Sequence, residues 1–318
     1  MQALLVRKPG TFTTIQDAGR PGMRRYGIPT SGAMDMLSFR IANALVGNPS
    51  DAAAIEVTLQ GFIVEALAPV VIAITGGDLG AHHNDHPAKL WESLTLEYGD
   101  RLSFLKRSSG CRAYVAIRGG IDAPAFLGSK STFAKGRMGA SLKSDEILSI
   151  DNLPHPTVIR QRWFPPHLRP TLPAEQTIRV ILGPQTEYFT QRGIETFLQS
   201  SYMISPKSDR QGFRTEGPSV EIAKGPDIIS DPTPLGAIQI PGDGKPIILH
   251  RDGQTTGGYA KIAKVIEADL DKFGQLVPGD RVCFRAVSRE EAVTLFYKYR
   301  YWFSGRYNRS LTRSLFVG

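Results

Sequence analysis

Residues 236–281, GAIQIPGDGKPIILHRDGQTTGGYAKIAKVIEADLDKFGQLVPGDR, carry the pattern that decides the fold. The stretch opens with an apolar run, turns at Pro241-Gly242-Asp243-Gly244 and returns through Pro246-Ile247-Ile248-Leu249. Glycine and aspartate supply the turn dihedrals and β-branched flanks supply the strands, so a β-hairpin is predicted. Gln254-Thr255-Thr256-Gly257-Gly258-Tyr259 follows, with Lys261 just beyond. Two hydroxyls, an amide, a phenol and an amine crowd one glycine pair, which suits a loop that brings backbone N–H groups close to a ligand. The alternative is a tight turn whose glycines serve geometry alone.

The same grammar of short apolar runs broken by Gly, Asp, Asn or Pro extends through the chain. Strands are expected at 3–6, 54–59, 62–66, 70–75, 89–96, 101–105, 112–117, 146–150 and 177–182. Thirty-two glycines and twenty-two prolines in 318 residues agree with many short strands and tight turns. This spacing favours an antiparallel barrel or sandwich over βαβ units. Three helices interrupt it. One begins near Met36, capped by Asp35 or Ser31 and stopped by Gly47; a second covers about 186–198; a third starts at the capping box Ser288-Arg289-Glu290-Glu291 and runs to about residue 303. Six prolines within 153–175 mark a linker, because proline blocks ladder pairing and holds an extended path. The expected organisation is a domain over 1–152, the linker 153–175, a domain over 176–288, and a helix with a basic aromatic tail over 289–318.

Composition narrows the function classes. At 41% hydrophobic and 21% charged the chain is globular. The net charge is +8, yet no tract of five basic residues occurs and much of the surplus lies after Lys298, so no nucleic-acid partner is expected. The start, MQALLVRKPGTFTTIQD, has no apolar core of signal-peptide type, and no run approaches the ~20 apolar residues of a membrane span. The two cysteines, Cys111 and Cys283, each sit in an apolar run, so a reducing cytoplasm is the expected setting. His82-His83-Asn84-Asp85-His86 has an HxxxH spacing but lies between Gly80 and Pro87. It reads as a hairpin turn, and no metal is expected there. There is no P-loop, no G-x-S-x-G elbow and no G-x-G-x-x-G after a strand.

Two polar, glycine-dense loops add candidate residues. The first holds Asp17, Arg20, Ser31 and Asp35. The second is residues 209–218, DRQGFRTEGP, where Arg210 and Arg214 either form a guanidinium clamp for a carboxylate or, in Arg214 with Glu216, a structural ion pair.

Residues 14–22 (TIQDAGRPG), 27–35 (GIPTSGAMD), 42–48 (ANALVGN), 56–61 (EVTLQG), 119–122 (GGID) and 127–132 (LGSKST) resemble the KipA-like family. So do Gly183-Pro184-Gln185, residues 209–218, 254–259 and Pro278-Gly279-Asp280. The family is also called the biotin-dependent carboxyltransferase or allophanate hydrolase subunit 2 family, and the likeness covers nearly the whole chain up to about Val287. It implies two cyclophilin-like β-barrel domains with a few short helices. It also implies a KipI-like partner which, with a LamB/YcsF-like protein, forms an ATP-dependent 5-oxoprolinase opening the lactam of 5-oxoproline to glutamate. In that complex the LamB/YcsF-like protein is the A subunit, the KipI-like protein the B subunit and the family member the C subunit. ATP would be bound with or by the partners. The alternatives are a carboxyltransferase that takes its carboxyl group from carboxybiotin on a separate carrier, and a regulatory binder of a KipI-like inhibitor. No Met-Lys-Met biotin-attachment tripeptide is present.

On this reading Arg210 and Arg214 hold a substrate carboxylate. Gln254, Thr255, Thr256 and the N–H groups around Gly257-Gly258 stabilise oxyanion or phosphate charge. Tyr259, Lys261, Arg20, Ser31 and Asp35 line the substrate site, and Asp17, Glu56 and Glu216 are candidates for positioning or acid–base work.

Overall fold

In a computed structural model of the chain, residues 1–150 and 161–301 are described. They fall into two compact units. The first takes residues up to Arg20 and Ser31–Leu172, and the second takes Pro21–Thr30 and Pro173–Arg300. The chain therefore lends ten early residues, 21–30, to the later unit, which no boundary drawn in chain order anticipates.

The first unit is built from β1 (Gln2–Pro9), β2 (Phe12–Gln16), β3 (Ala54–Thr58), β4 (Phe62–Ala66), β5 (Val70–Gly76), β6 (Ala81–His83), β7 (His86–Pro87), β8 (Ser93–Leu96), β9 (Arg101–Phe104), β10 (Arg112–Ile117), β11 (Ile121–Asp122) and β12 (Ile147–Ile150). Two sheets result, ordered β11-β12-β1-β4-β9-β6-β7 and β2-β3-β10-β5-β8. Their facing side chains, among them Leu4, Val64, Ile72, Phe104 and Val115, form one core. Each large apolar side chain buried there contributes about 1.5–3 kcal/mol. Helix α1 (Met36–Val46) packs Phe39 and Leu45 against Tyr114 and Ala73 of the five-stranded sheet. Asp35 caps it and Gly47, at φ 77°, ends it, as its sequence predicts.

The expected strand over 89–96 is shorter than its apolar pattern, because Trp91 adopts a left-handed φ of 65° and breaks the pleat. The histidine-rich segment forms the expected hairpin: β6 and β7 pair across Asn84-Asp85. Asp100 braces its turn through His83 and Asn84, and hydrogen bonds from Asn84, the Glu97 N–H and His83 hold its pKa down at about 2.

The proline-rich run is only partly a linker. Residues 153–160 lie outside the described residues, but 161–172 fold onto the first unit. Arg162 exchanges hydrogen bonds with Ser93, and Phe164 is buried against Trp91 at 5.7 Å between rings. An extended proline-rich path still offers alternate N–H and C=O groups, and here they meet the segment around β8.

In the second unit, a closed barrel runs β13-β20-β17-β18-β15-β14-β21. Its strands are β13 (Glu175–Leu182), β14 (Ser201–Ile204), β15 (Gly212–Glu216), β17 (Ala237–Gln239), β18 (Ile247–Leu249), β20 (Lys261–Val265) and β21 (Arg281–Ala286). Strands β16 (Asp227–Pro232) and β19 (Thr256–Tyr259) form a separate two-stranded ribbon. The hairpin read from residues 236–249 is β17 and β18, with Ile238 opposite Ile248 and the turn closed by the Gly244 N–H to the Pro241 carbonyl at 2.9 Å. Helix α2 (Gln191–Gln199) buries Phe197, stacked on Phe284 at 4.5 Å. Its amphipathic run begins later than expected, because a 3-10 turn (Thr186–Tyr188) precedes the Thr190 cap. Short α3 (Leu270–Phe273) and α4 (Arg289–Tyr301) complete the unit, with the Ser288 hydroxyl accepting from the Glu291 N–H at 3.1 Å. The aromatic tail beyond Tyr301 lies outside the described residues. No helix among them is long and apolar enough to cross a membrane.

Candidate functional site

Each unit gathers part of the candidate set. In the first, the loop after β2 is held by Asp17. Its Oδ1 accepts from the Gly19 N–H at 2.7 Å, the Ser129 hydroxyl at 2.7 Å and the Ser131 hydroxyl, and its Oδ2 from the Lys130 N–H at 2.6 Å. Arg20, 1% exposed, donates to the Ser131 carbonyl at 2.5 Å and the Phe126 carbonyl at 3.4 Å. Segment 31–33 crosses this loop so closely that a Cβ on Gly32 would come within 3.0 Å of the Gly19 nitrogen. Only glycine fits there, and Gly32 also takes φ 92°. Ser31 beside it sits at φ 54°, fully buried, with no hydrogen-bond partner for its hydroxyl among the described residues. A non-glycine residue in this region stores strain of order 1–3 kcal/mol.

Glu56, on β3, is fully buried and ties α1 to the sheet. Its Oε2 accepts from the Met34 N–H and the Tyr114 hydroxyl, both at 2.8 Å, and Arg112 lies 3.6 Å from Oε1. Tyr114 in turn accepts from the Asp35 N–H at 2.8 Å. Burial first, and the neighbouring Glu56 and Asp35 charges second, push the Tyr114 phenol well above its usual value. Asp35 is occupied as the helix cap, bonding the Ser38 N–H at 2.9 Å and its hydroxyl at 2.6 Å. Asp17, Asp35 and Glu56 thus have their carboxylates engaged by the fold, Asp17 in the loop after β2 and Asp35 and Glu56 at the start of α1.

In the second unit the expected glycine loop is a strand. Thr256–Tyr259 pairs antiparallel with Asp227–Pro232, Gly257 opposite Asp231, so these glycines belong to the ribbon ladder. Gly257 leaves room for its neighbours' side chains: a Cβ there would come within 2.5 Å of the Gln239 amide nitrogen and 3.0 Å of Thr233, so Gln239 would have to shift. The ribbon's base is fastened by Arg24, from the lent segment. Its guanidinium donates to the carbonyls of Thr233, of Gln254 at 2.9 Å and of Gly253 at 3.4 Å. Burial lowers the Arg24 pKa, and these carbonyl dipoles offset the cost of burying its charge. Thr233 adds a hydroxyl bond to the Gln254 carbonyl at 2.6 Å. The side chains of Gln254, Thr256 and Tyr259 are exposed, and Thr255 is half-buried. Lys261, first residue of β20, is 4% exposed and bonds Asp231 at 2.7 Å.

The two-arginine clamp does not assemble. Arg210 is buried and forks onto Asp252, Nε to Oδ2 at 2.9 Å and Nη2 to Oδ1 at 3.4 Å, whereas Arg214 is exposed on β15. Nor do Arg214 and Glu216 form an ion pair. Glu216 pairs with Lys245, whose hydrogen bond and charge lower its pKa. In both cases the partner comes from a distant strand or turn that the local pattern does not name. Sequence reading also passes over Arg24, Gln185, Asp231, Gln239 and Asp252. The charged run His250-Arg251-Asp252 after an apolar hairpin strand is the available signal for the last of these. Among the described residues no group of three His, Cys, Asp or Glu side chains is arranged to hold a metal ion.

The chain is similar to the C subunit of 5-oxoprolinase of Escherichia coli (strain K12), 35% identical over 290 residues that cover 91% of this chain and 93% of that protein. It is 39% identical over 315 residues to the urea amidolyase of Lachancea kluyveri, a match covering 91% of this chain but 17% of that much longer protein. The crystal structure of K. lactis urea amidolyase superposes with a TM-score of 0.89 and 37% identity, covering 95% of this chain and 20% of that one. Residues 26–286, which include the ribbon and the barrel, match the family model described as the carboxyltransferase domain, subdomain A and B. With its β-rich architecture and these matches over nearly the whole chain, the protein belongs to the carboxyltransferase domain, subdomain A and B family.

Proposed function

We propose that this chain is one component of a multi-protein enzyme that processes a small amide, with ATP-dependent opening of 5-oxoproline to glutamate as the reaction. The observation that carries this reading is the match to the C subunit of 5-oxoprolinase across 93% of that relative's length. The partners are a KipI-like and a LamB/YcsF-like protein. Within this chain the exposed polar edge of the ribbon, Gln254, Thr255, Thr256 and Tyr259, contacts substrate, and Arg24 keeps that edge in place from below. Arg214 is exposed on β15, with no ion-pair partner among the described residues, and is left open to an anion of a partner protein. Asp17 and Arg20 hold the loop after β2, and Asp35 and Glu56 hold the start of α1.

The N-termini of α1 and α2 that would attract phosphate are already closed by Asp35 and Thr190, so ATP is assigned to the partners and no step is derived through it. A second reading, carboxyl transfer from carboxybiotin held on a separate carrier, is favoured by the family description and by the 39% identity to urea amidolyase.

The test is an assay of the purified chain with and without both partners. Glutamate release from 5-oxoproline and ATP is expected only when all three proteins are present. A requirement for bicarbonate and a biotinylated carrier would overturn this reading in favour of carboxyl transfer. Full activity from the other two alone would make the chain a regulator.

A further inference from the structure

Lys261 is paired less completely than its burial demands. Its side chain is 6% exposed, yet its ammonium, which carries three donors, makes one hydrogen bond among the described residues, to Asp231 Oδ2 at 2.7 Å. Asp231 itself is 43% exposed, and its Oδ1 accepts nothing among those residues. The neighbouring Gln185 spans both groups. Its Oε1 accepts the Lys261 backbone N–H at 3.2 Å, and its Nε2 lies 3.4 Å from Asp231 Oδ2. Gln185 is fixed in turn by Gly183, whose N–H bonds the Ile262 carbonyl at 2.7 Å and whose missing Cβ would collide with the Lys261 carbonyl at 2.3 Å. A buried cation and a neighbouring amide donor therefore converge on one carboxylate whose other face is open to water. Rotating Asp231 away costs little solvation for the acid but strands the lysine, so the lysine demands a replacement anion.

We propose that Lys261 and Gln185 form a carboxylate-binding seat, which Asp231 occupies as an internal placeholder until the carboxylate of a small ligand displaces it. The geometry suits a single carboxylate: one oxygen takes the ammonium and the amide, as Asp231 Oδ2 does now, and the second takes the remaining ammonium donors. The group is either the substrate's own carboxylate or a bare carboxyl group in transit; both present the same planar anion. Binding needs no turnover, so its outcome stands apart from that of the three-protein assay.

The experiment uses the full chain alone and titrates sodium acetate, 5-oxoproline and, as the carboxylate-free control, 2-pyrrolidinone, by calorimetry and by the NMR shift of the Gln185 side-chain amide. With Asp231 in place more than about nine-tenths of the time, Asp231→Asn and Asp231→Ala tighten carboxylate binding about tenfold or more and leave the control unchanged. 5-Oxoproline gaining more than acetate assigns the seat to the substrate carboxylate, and equal gains assign it to a bare carboxyl group. Lys261→Met in the Asp231→Ala background abolishes the gain, with Lys261→Gln as the second variant should the first fail to fold. The proposal is overturned if neither Asp231 variant binds carboxylates more tightly, or if the gain survives removal of Lys261.

Discussion

Two pairs of groups, Asp17 with Glu56 in the first unit and Arg24 with Lys261 in the second, hold charge in opposite ways. In the first, Asp17 and Glu56 are surrounded by donors that come from backbone N–H groups, hydroxyls and Arg112, and every contact lies inside one fold. In the second, the half-buried Arg24 and the buried Lys261 are cations that reach toward carbonyls at the ribbon base or a half-exposed carboxylate. A charge saturated by fixed partners serves stability, because any competitor must replace several hydrogen bonds at once. A charge with unused donors and a solvent-facing partner can exchange that partner. The contrast separates scaffold from site more sharply than residue type does. Carboxylates are the side chains first considered for acid–base work, and those of Asp17 and Glu56 are occupied by the fold.

The largest effect should come from Glu56→Ala. It removes the acceptor of the Tyr114 hydroxyl and the Met34 N–H, and the carboxylate 3.6 Å from Arg112, in a dry interior, and urea unfolding of the first unit should report a loss of about 3–5 kcal/mol. A loss below about 1 kcal/mol would mean water reaches that pocket, and the comparison would fail at its strongest point. Asp17→Ala should follow at about 2–4 kcal/mol, with Asp17→Asn retaining part of it, since four donors lose one acceptor. Arg24→Met should be milder, about 1–2 kcal/mol, because a freed carbonyl at the ribbon base can be hydrated. Its signature should be faster amide exchange across residues 253–259 with little change in the barrel; uniform acceleration would show that Arg24 holds the barrel rather than the ribbon.

The smallest effect is on pH. The hydrogen bonds from Asn84, the Glu97 N–H and His83 hold the Asp100 pKa at about 2, below its unfolded value near about 4. Its contribution is therefore complete above about pH 4 and is lost as pH falls toward about 2. Asp100→Asn should flatten that part of the acid-unfolding profile, measured as urea midpoint against pH, and leave the neutral region of the slope alone. An unchanged acid limb would show that the brace carries no charge-dependent stability.

What the sequence displays is local. The Pro241–Gly244 turn, the Asp35 and Gly47 caps and the Ser288 box each act within a few residues, so pattern and chemistry coincide. What it hides is pairing at a distance. Arg210 finds Asp252 after 42 residues, Glu216 finds Lys245 after 29, and Lys261 finds Asp231 after 30. No periodicity encodes which of several acids or bases will meet across a barrel. The same blindness makes Thr256–Tyr259 read as a loop, because glycine argues against a strand unless a neighbour such as Gln239 needs the space of a missing Cβ.

The loan of residues 21–30 has a consequence for how the molecule can be made. The backbone passes between the units at Arg20–Pro21, at Thr30–Ser31 and again at Leu172–Pro173, so no single cut yields two complete halves. During synthesis residues 21–30 are made first and must wait for the second unit, and the sequence separation of the Arg24 contact with Gln254, 230 residues, makes that closure a slow, late event. Until it happens the ribbon lacks its fastening, and a ribosome-bound chain would carry the edge with its alignment still to be set.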